Sequence, residues 1–323
     1  MITAAEVAGV ASDTGFRAEI VEKVLRLRGI LRRLDRHEIT QGTWVLKGGT
    51  ALNLLHLDVP RLSMDIDINY VGQDDVEGMR LARPDFERAL ASCCARERCD
   101  VRRAPSEHAG GKFRLRYPSV LGGSQNLEVD VSYVARVPLW GDIRSRIRFP
   151  PDSEFDVPTL TVEELAAGKF AALVQREAAR DAFDAAHLLA LMPDLVRRPA
   201  FRTAFVCFVA GSRTDPRRLV PARVVLSDRA VEQDLDPLLR RDRLGIHPGV
   251  NALRDWIEQE VAPALEPLLD WSSRESRFLD LLMDDGEVVA EALHDDSEVQ
   301  ERIRRQPMLN WKAQHVRQRG GKR

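Results

Sequence analysis

The segment Lys47-Gly48-Gly49-Thr50, followed by Asp65-Ile66-Asp67, constrains the fold of this 323-residue chain more than any other feature. Residues 43–46 (TWVL) are apolar and favour a strand, which ends at a glycine pair that tolerates positive φ and lets another group approach the backbone. Residues 50–56 have the pattern of a short helix, whose first turn offers free N–H groups and a positive dipole end to an anion. The order of strand, glycine turn and helix predicts a phosphate-binding corner.

Two carboxylates follow this corner on a predicted strand. Asp65, Asp67 and Asn69 alternate with apolar residues, so the carboxylates share one face while Ile66 and Ile68 enter the core. Magnesium prefers hard oxygen ligands, commonly one or two carboxylates with substrate phosphates and water. Asp-x-Asp alone is also common on solvated strand edges, and a glycine pair alone is often only a turn. Together, in this order, they indicate a nucleotidyl-transfer site with Asp65 and Asp67 as metal ligands.

Residues 44–71 (WVLKGGTALNLLHLDVPRLSMDIDINYV) resemble the signature of the AbiEii/MenT nucleotidyltransferases. These are the toxic halves of type IV toxin–antitoxin and abortive-infection pairs, within the polymerase-beta-like superfamily. The resemblance covers roughly residues 16–192. It implies an α/β (α+β) fold, in which a mixed sheet flanked by helices precedes a mostly helical C-terminal domain. The nucleotide-binding residues that we expect from it are Gly48, Gly49, Thr50, Arg61, Ser63, Lys169 and Arg176.

A further acidic strand is predicted at Leu127–Val134. Glu128 and Asp130 lie on one of its faces, opposite Leu127, Val129 and Val131, so a strand beside that of Asp65 could bring a third carboxylate to the metal. The polymerase-beta pattern expects such a residue. Asp130 matches it better, with Glu128 as the alternative, although alternating acids are also ordinary on an exposed strand face.

A helix is predicted to begin near Val162, because Thr161 and Glu164 have the spacing of a capping box. Lys169 and Arg176 would lie on one face of this helix. An ammonium and a guanidinium there could neutralise the triphosphate and the charge that develops as pyrophosphate leaves.

The run Arg180-Asp181-Ala-Phe-Asp184 follows. The resemblance implies an essential lysine and, fifteen residues later, an essential aspartate, which match Lys169 and Asp184. From the residues alone, an exposed helix face with pairs such as Arg180 and Asp184 remains the alternative.

Composition limits the class of protein. The chain is 44% hydrophobic and 30% charged with a formal net charge of −2, so any attraction for nucleic acid must come from local patches. Its cysteines fit neither a zinc spacing nor a disulfide framework, and no signal-like or membrane-spanning run occurs, so a cytoplasmic protein is expected. The cysteines are Cys93, Cys94, Cys99 and Cys207.

We expect three regions. These are a nucleotidyltransferase domain (1–157), a helical domain that completes the cleft (158–301) and a basic tail (302–323). The tail contains eight Lys or Arg, Trp311 and no acid, so it could bind a phosphate backbone and stack a base, or could equally be a solvated terminus. Other predicted elements are helices at Phe16–His37, Asp85–Cys99 and 250–271, a strand at Lys112–Tyr117, and loops at 103–112 and 118–126.

The expected reaction is Mg²⁺-dependent transfer of a nucleoside monophosphate from a nucleoside triphosphate, with release of pyrophosphate. The resemblance implies the 3′ end of tRNA as acceptor, a consequent block of translation, and an AbiEi-like antitoxin as partner. A small-molecule nucleotidyltransferase of the antibiotic-resistance type, a protein nucleotidyltransferase and a non-catalytic nucleotide-binding partner protein remain alternatives. The sequence does not indicate which nucleotide is added.

Overall fold

The computed structural model describes residues 2–104, 110–151, 155–176, 178–220, 226–240 and 249–320. The strands are β1 (Trp44–Leu46), β2 (Asp65–Tyr70), β3 (Asp100–Ala104), β4 (Gly110–Pro118), β5 (Ser124–Ser132), β6 (Asp142–Arg146) and β7 (Asp156–Leu160). The helices of the first half are α1 (Ala4–Thr14), α2 (Ala18–Leu34), α3 (Gly48–Ala51) and α4 (Val76–Arg96). Those of the second half are α5 (Val162–Leu173), α6 (Ala179–Leu191), α7 (Pro199–Ala210), α8 (Asp228–Ala230), α9 (Val250–Leu269), α10 (Ser273–Asp280), α11 (Ser297–Arg304) and α12 (Pro307–Gly320).

The strands form one mixed sheet in the order β3-β4-β5-β2-β1-β7-β6. β2 pairs in parallel with β5 and β1 with β7, whereas the other four pairings are antiparallel. The mixed α/β architecture predicted from the sequence is therefore confirmed. The predicted boundary after residue 157 falls inside β7, which pairs with β1 and β6, so the sheet continues beyond it.

Strand β5, which lies next to the site, is buried on one face only. In β5, Leu127, Val129 and Val131 are buried while Glu128 and Asp130 point away from the core, as the alternation predicts. Helix α2 lies within the predicted Phe16–His37 and buries its apolar stripe. One face of the β3-β4-β5 half of the sheet thus remains accessible beside β2.

Helix α4 extends further toward the N-terminus than the predicted Asp85–Cys99. Asp75 caps it by accepting a hydrogen bond from the Gly78 N–H at 2.7 Å, and the helix continues through Pro84. The loop predicted at 103–112 is also partly wrong, because β3 and β4 enter it from both sides; residues 105–109 lie outside the described residues.

The C-terminal region is helical and packs on the rest of the chain. Buried Ile303, Leu309 and Ala313 belong to the same hydrophobic core as the sheet. Residues 302–320 therefore do not form the predicted separate tail or a solvated terminus, and 321–323 lie outside the described residues. No helix in the part of the chain that the structure describes is long and apolar enough to cross a membrane.

Candidate active site

The glycine turn packs directly against the second aspartate of β2. The Lys47 N–H donates to the Asp67 carbonyl at 2.9 Å, and Gly48 follows with φ 68°. A Cβ on Gly48 would lie 2.5 Å from Asp67 Oδ2, and one on Gly49 would lie 2.8 Å from a guanidinium nitrogen of Arg61. Only glycine tolerates both the positive φ of Gly48 and such close neighbours at Gly48 and Gly49. The two glycines therefore allow α3 to begin beside the carboxylates.

Thr50 has a different role from the predicted one. Helix α3 begins at Gly48, so Thr50 lies inside its first turn, fully buried, and its hydroxyl donates to the Asp65 carbonyl at 2.5 Å. This bond joins the helix to the first residue of β2. The predicted nucleotide contact from Thr50 does not fit this position, because the hydroxyl is already used inside the fold.

The two aspartates of β2 are carboxylates that the fold does not neutralise fully. Burial raises the pKa of Asp67; Lys47 opposes this effect, while Asp65 and Asp130 reinforce it. Burial likewise raises the pKa of Asp65, opposed mainly by Arg180. Two carboxylates that are partly buried and form no ion pair within the described residues favour the uptake of a positive charge, which is the condition a metal ion would satisfy.

Strand β5 brings its acids into register with these aspartates. Asp65 lies beside Glu128, and Asp67 beside Asp130. Glu128 is engaged by Lys112 at 2.6 Å and by Arg114 at 3.4 Å, whereas the exposed Asp130 has no ion pair in the described part of the chain. The side chains as placed do not form a ready metal cage, since no three acidic, His or Cys groups among the described residues converge on one point.

Asp184 is the centre of a buried ion-pair network. It is fully buried and receives two hydrogen bonds from Arg61, at 2.8 and 2.7 Å. Lys169 Nζ lies 2.9 Å from Asp184 Oδ2, and the Asn53 amide donates to Oδ1 at 3.0 Å. Burial alone would raise the pKa of Asp184, but the charges of Arg61 and Lys169, with these hydrogen bonds, hold it well below its usual range.

This environment changes the interpretation of Asp184. A fully buried carboxylate in contact with two cations is held in its ionised form, and it fixes the side chains of Arg61 and Lys169. These contacts favour a positioning role for Asp184. Lys169 and Asp184, which were predicted together from the sequence, are in direct contact. Lys169 lines a cavity at the site, whereas Asp184 does not.

The helix around Lys169 is shorter than predicted. It begins at Val162 as expected, with Thr161 as N-cap, but it ends at Leu173, so Arg176 lies in the following connection and not on the same helix. Arg176 still joins Lys169, because both bind Asp181, at 3.0 and 2.7 Å.

The capping box is only half formed. The Thr161 hydroxyl accepts from the Glu164 N–H at 3.4 Å, but the Glu164 carboxylate accepts from the N–H groups of Leu139 and Trp140 instead of returning to Thr161. Burial raises the pKa of Glu164 to about 7.

Most of these groups line one cavity of about 630 Å³, which we call the carboxylate cleft. Its lining is partly polar and cationic and partly apolar. The polar and cationic part includes Gly48, Gly49, Arg61, Ser63, Asn69, Ser132, Lys169, Arg176 and Arg180, and the apolar part includes Leu165, Phe208 and Met308. Asp65 and Asp67 also line the cleft.

Sequence reasoning missed four polar residues of this site. Lys47 and Arg180 influence the pKa values of the aspartates, and Asn53 donates a hydrogen bond to Asp184. Asn69 lines the cleft, and its buried Oδ1 has no hydrogen-bond partner in the described part of the chain. Asn69 was detectable, because it continues the i, i+2 face of Asp65 and Asp67. Asn53 was not, because its partner lies 131 residues away.

Comparisons with known proteins point to one family and one fold. A family model described as "Nucleotidyl transferase AbiEii toxin, Type IV TA system" matches residues 30–303. Among the solved structures, the nucleotidyltransferase toxin MenT4 from Mycobacterium tuberculosis matches with a TM-score of 0.57 and 20% identity, over 95% of this chain and 99% of that chain. No curated protein matches the sequence.

Proposed function

Because the chain belongs to the AbiEii family of nucleotidyltransferase toxins, we propose that it transfers a nucleoside monophosphate from a nucleoside triphosphate to the 3′ end of tRNA and thereby stops translation. It is a nucleotidyltransferase, and its membership in a type IV toxin family implies a cognate antitoxin. The observation that carries the proposal is the carboxylate cleft, where two incompletely neutralised aspartates lie between a glycine turn and a group of cations.

The cationic residues of the cleft would hold the triphosphate. Lys169, Arg176 and Arg180 line the same cavity as the glycine turn, and Ser63 adds a hydroxyl. Arg61 and Lys169 are held rigidly by Asp184, so their charges need little rearrangement as negative charge develops on the leaving pyrophosphate. This arrangement favours departure of pyrophosphate from the α-phosphorus.

Asp65 and Asp67 would hold a divalent metal ion, which nucleotidyltransferases generally use, and Mg²⁺ is the ion we propose. When bound, such an ion activates the attacking hydroxyl and stabilises the leaving oxygen. We propose Asp130 as the third acidic group, because it neighbours Asp67 and is not engaged by the cations that hold Glu128. The raised pKa values of Asp65 and Asp67 support a metal ion at this site, because a bound cation would stabilise their charged forms.

The apolar residues of the cleft would receive the nucleoside. Leu165, Phe208 and Met308 offer a surface for a base, and Asn69 Oδ1, which has no hydrogen-bond partner among the described residues, can accept a hydrogen bond from a ribose hydroxyl or a base amino group. We therefore propose that Asn69 contributes to the choice of nucleotide.

The test is incubation of purified protein with total tRNA, Mg²⁺ and each α-labelled nucleoside triphosphate in turn. We expect label at the 3′ end of tRNA from one or two triphosphates, and none with Asp67→Asn. Asn69→Ala should change the preference among triphosphates. Label confined to a small molecule or to protein would contradict the tRNA proposal, and a folded protein that transfers nothing to any acceptor would favour a non-catalytic partner.

A further inference from the structure

A second cavity of about 850 Å³ lies between the C-terminal parts of α2 and α4 and the turn that joins β4 to β5. We call it the arginine cleft. Its arginines are Arg26, Arg28, Arg32, Arg33, Arg36, Arg96 and Arg98. Only two acidic residues, Glu6 and Glu97, line the same cavity, so its walls carry a local excess of positive charge in a chain whose formal net charge is −2.

Two of the arginines are neutralised inside the fold. Arg26 is buried and pairs with Glu22 at 2.9 Å while lying over the Tyr117 ring at 4.1 Å. Arg33 pairs with Glu97 at 2.5 Å. These contacts build the floor and one wall, so the cavity is part of the packed structure.

The other five form no ion pair with a carboxylate among the residues that the structure describes, although the charge of Glu6 partly offsets that of Arg32 at Arg28. Arg32, Arg36, Arg96 and Arg98 are exposed, while Arg28 is half-buried. Burial and the neighbouring charge of Arg32 lower the pKa of Arg28. Such crowding of guanidinium groups is unfavourable unless an anion binds, and planar guanidinium groups bind phosphate oxygens in pairs.

Helix α2 carries cations toward both clefts. Its Lys23 is close enough to Asp65 for the two charges to interact, and its Arg28 and Arg32 line the arginine cleft. Arg28 follows one to two turns later, and Arg32 lies a further ~6 Å along the helix axis. An extended polyanion with one end at Asp65 can therefore pass Lys23 and continue over the arginines.

We propose that the arginine cleft binds the phosphodiester backbone of the RNA acceptor, away from its reacting 3′ end. The proposal rests on the proposed function for the identity of the acceptor. The continuity with Asp65 favours a polymer that spans both clefts, which neither a small molecule nor a single nucleotide can do. An acidic segment of a partner protein is the competing occupant.

The experiment measures RNA binding separately from transfer. The probe is a fluorescent synthetic RNA hairpin with a single-stranded 3′ end, titrated with the full-length protein by anisotropy between about 50 and 200 mM salt. The variant is Arg32→Glu/Arg36→Glu/Arg96→Glu, and the matched control reverses three exposed arginines elsewhere, Arg213→Glu/Arg218→Glu/Arg277→Glu. Circular dichroism confirms that both fold.

We expect the variant to bind at least about tenfold more weakly at ~0.1 M salt, with a log–log salt slope flatter by roughly 0.7 to 0.9 per lost phosphate contact. The control should keep the wild-type slope, and both should keep wild-type affinity for the triphosphate. An unchanged slope in the variant, or equal losses in variant and control, would overturn the proposal.

Two further outcomes separate the hypotheses. If the hairpin binds through the arginines but total tRNA receives no label, the arginine cleft is supported and the tRNA-transfer proposal fails. If the variant binds RNA normally but no longer co-purifies with the product of the neighbouring antitoxin gene, the cleft binds protein and our proposal is wrong.

Discussion

The carboxylate cleft and the arginine cleft carry opposite imbalances of charge. In the first, Asp65 and Asp67 are half-buried with raised pKa values, because burial outweighs the nearby cations. In the second, Arg28 and its exposed neighbours lack carboxylate partners in the described residues. Asp184, by contrast, is buried with both of its cations in contact, and its pKa is lowered.

The difference distinguishes structural charges from charges kept for a ligand. A buried ion that is matched within the fold, as Asp184 is, mainly fixes the geometry of its partners. An ion left unmatched makes the fold less stable and the binding of an opposite charge more favourable. The two clefts thus complement a metal ion and a phosphate backbone respectively, and five predictions test this division.

Substitution of Asp65 or Asp67, the carboxylates without an ion pair in the described residues, should have the largest effect on activity. Asp65→Asn or Asp67→Asn should lower nucleotidyl transfer on the order of a thousandfold or more, because each removes a ligand of the charge-stabilising ion. Affinity for the RNA hairpin should remain at the wild-type level, since the arginines are untouched. Wild-type turnover by either folded variant would contradict the metal assignment.

Loss of Asp184, the carboxylate whose charge is matched within the fold, should lower stability. Asp184→Ala leaves Arg61 buried without its bidentate partner and should lower the free energy of unfolding by about 3 to 5 kcal/mol in urea denaturation. Asp181→Ala is the control, because Lys169 keeps Asp184 and Arg176 is largely exposed. Equal destabilisation by the two substitutions would show that Asp184 is not the structural centre of the network.

A divalent ion should stabilise the protein through the carboxylate cleft. At 100 times its dissociation constant, Mg²⁺ should raise the free energy of unfolding by about 2.7 kcal/mol. In EDTA at neutral pH, Asp67→Asn should be more stable than the wild type, because a carboxyl with a raised folded pKa costs stability above its ordinary pKa. Thermal unfolding with and without Mg²⁺ measures both, and an unchanged response in Asp67→Asn would place the ion elsewhere.

Glu164 should give a smaller, pH-dependent effect. Its folded pKa of about 7 exceeds the ordinary 4.5, so between these values the folded protein keeps a proton that the unfolded chain releases. Its contribution to stability is therefore complete below about pH 4.5 and is lost as the pH rises to about 7, at up to about 1.4 kcal/mol per pH unit. The free energy of unfolding of Glu164→Gln, measured by denaturation across this pH range, should lack the contribution of Glu164. Parallel curves of unfolding free energy against pH for the variant and the wild type would exclude such a contribution.

The smallest effect should come from the C-terminal basic residues, which resemble the arginine cleft in sequence but not in structure. Most already have partners: Arg302 with Glu298, Arg304 with Glu291, Arg305 with Asp74, Lys312 with the Ser212 carbonyl and Arg317 with the Gly286 carbonyl. Reversal of the exposed Arg319 should therefore leave the salt slope of RNA binding nearly unchanged. A change in salt slope as large as that of the Arg32→Glu/Arg36→Glu/Arg96→Glu variant would show that the C-terminal basic residues bind nucleic acid.

Local patterns were sufficient for the core of the site. The glycine pair and the alternation of Asp65, Ile66 and Asp67 predicted the turn, the strand and the shared face, because backbone conformation and side-chain period are properties of neighbouring residues. The predicted start of α5 at Val162 is confirmed for the same reason, since an N-cap needs only Thr161 and the next turn.

The ends of elements and the partners of charges were less predictable. The sequence placed Arg176 on the helix of Lys169, but that helix ends at Leu173, and packing against Asp181 brings the two cations together instead. Thr50 matched a nucleotide-binding pattern, but its hydroxyl donates a hydrogen bond to the nearby Asp65 carbonyl.

The sequence by itself determined the family, the mixed α/β fold and the positions of Asp65, Asp67 and Lys169, because these follow from short-range motifs. Only the tertiary structure decided which charges are matched. Asp184 meets Arg61 across 123 residues, while the arginines of α2 meet those near the end of α4 without enough acids between them. Electrostatic energy depends on distance in space and on burial, and neither can be obtained from spacing along the chain when the partners are far apart in it.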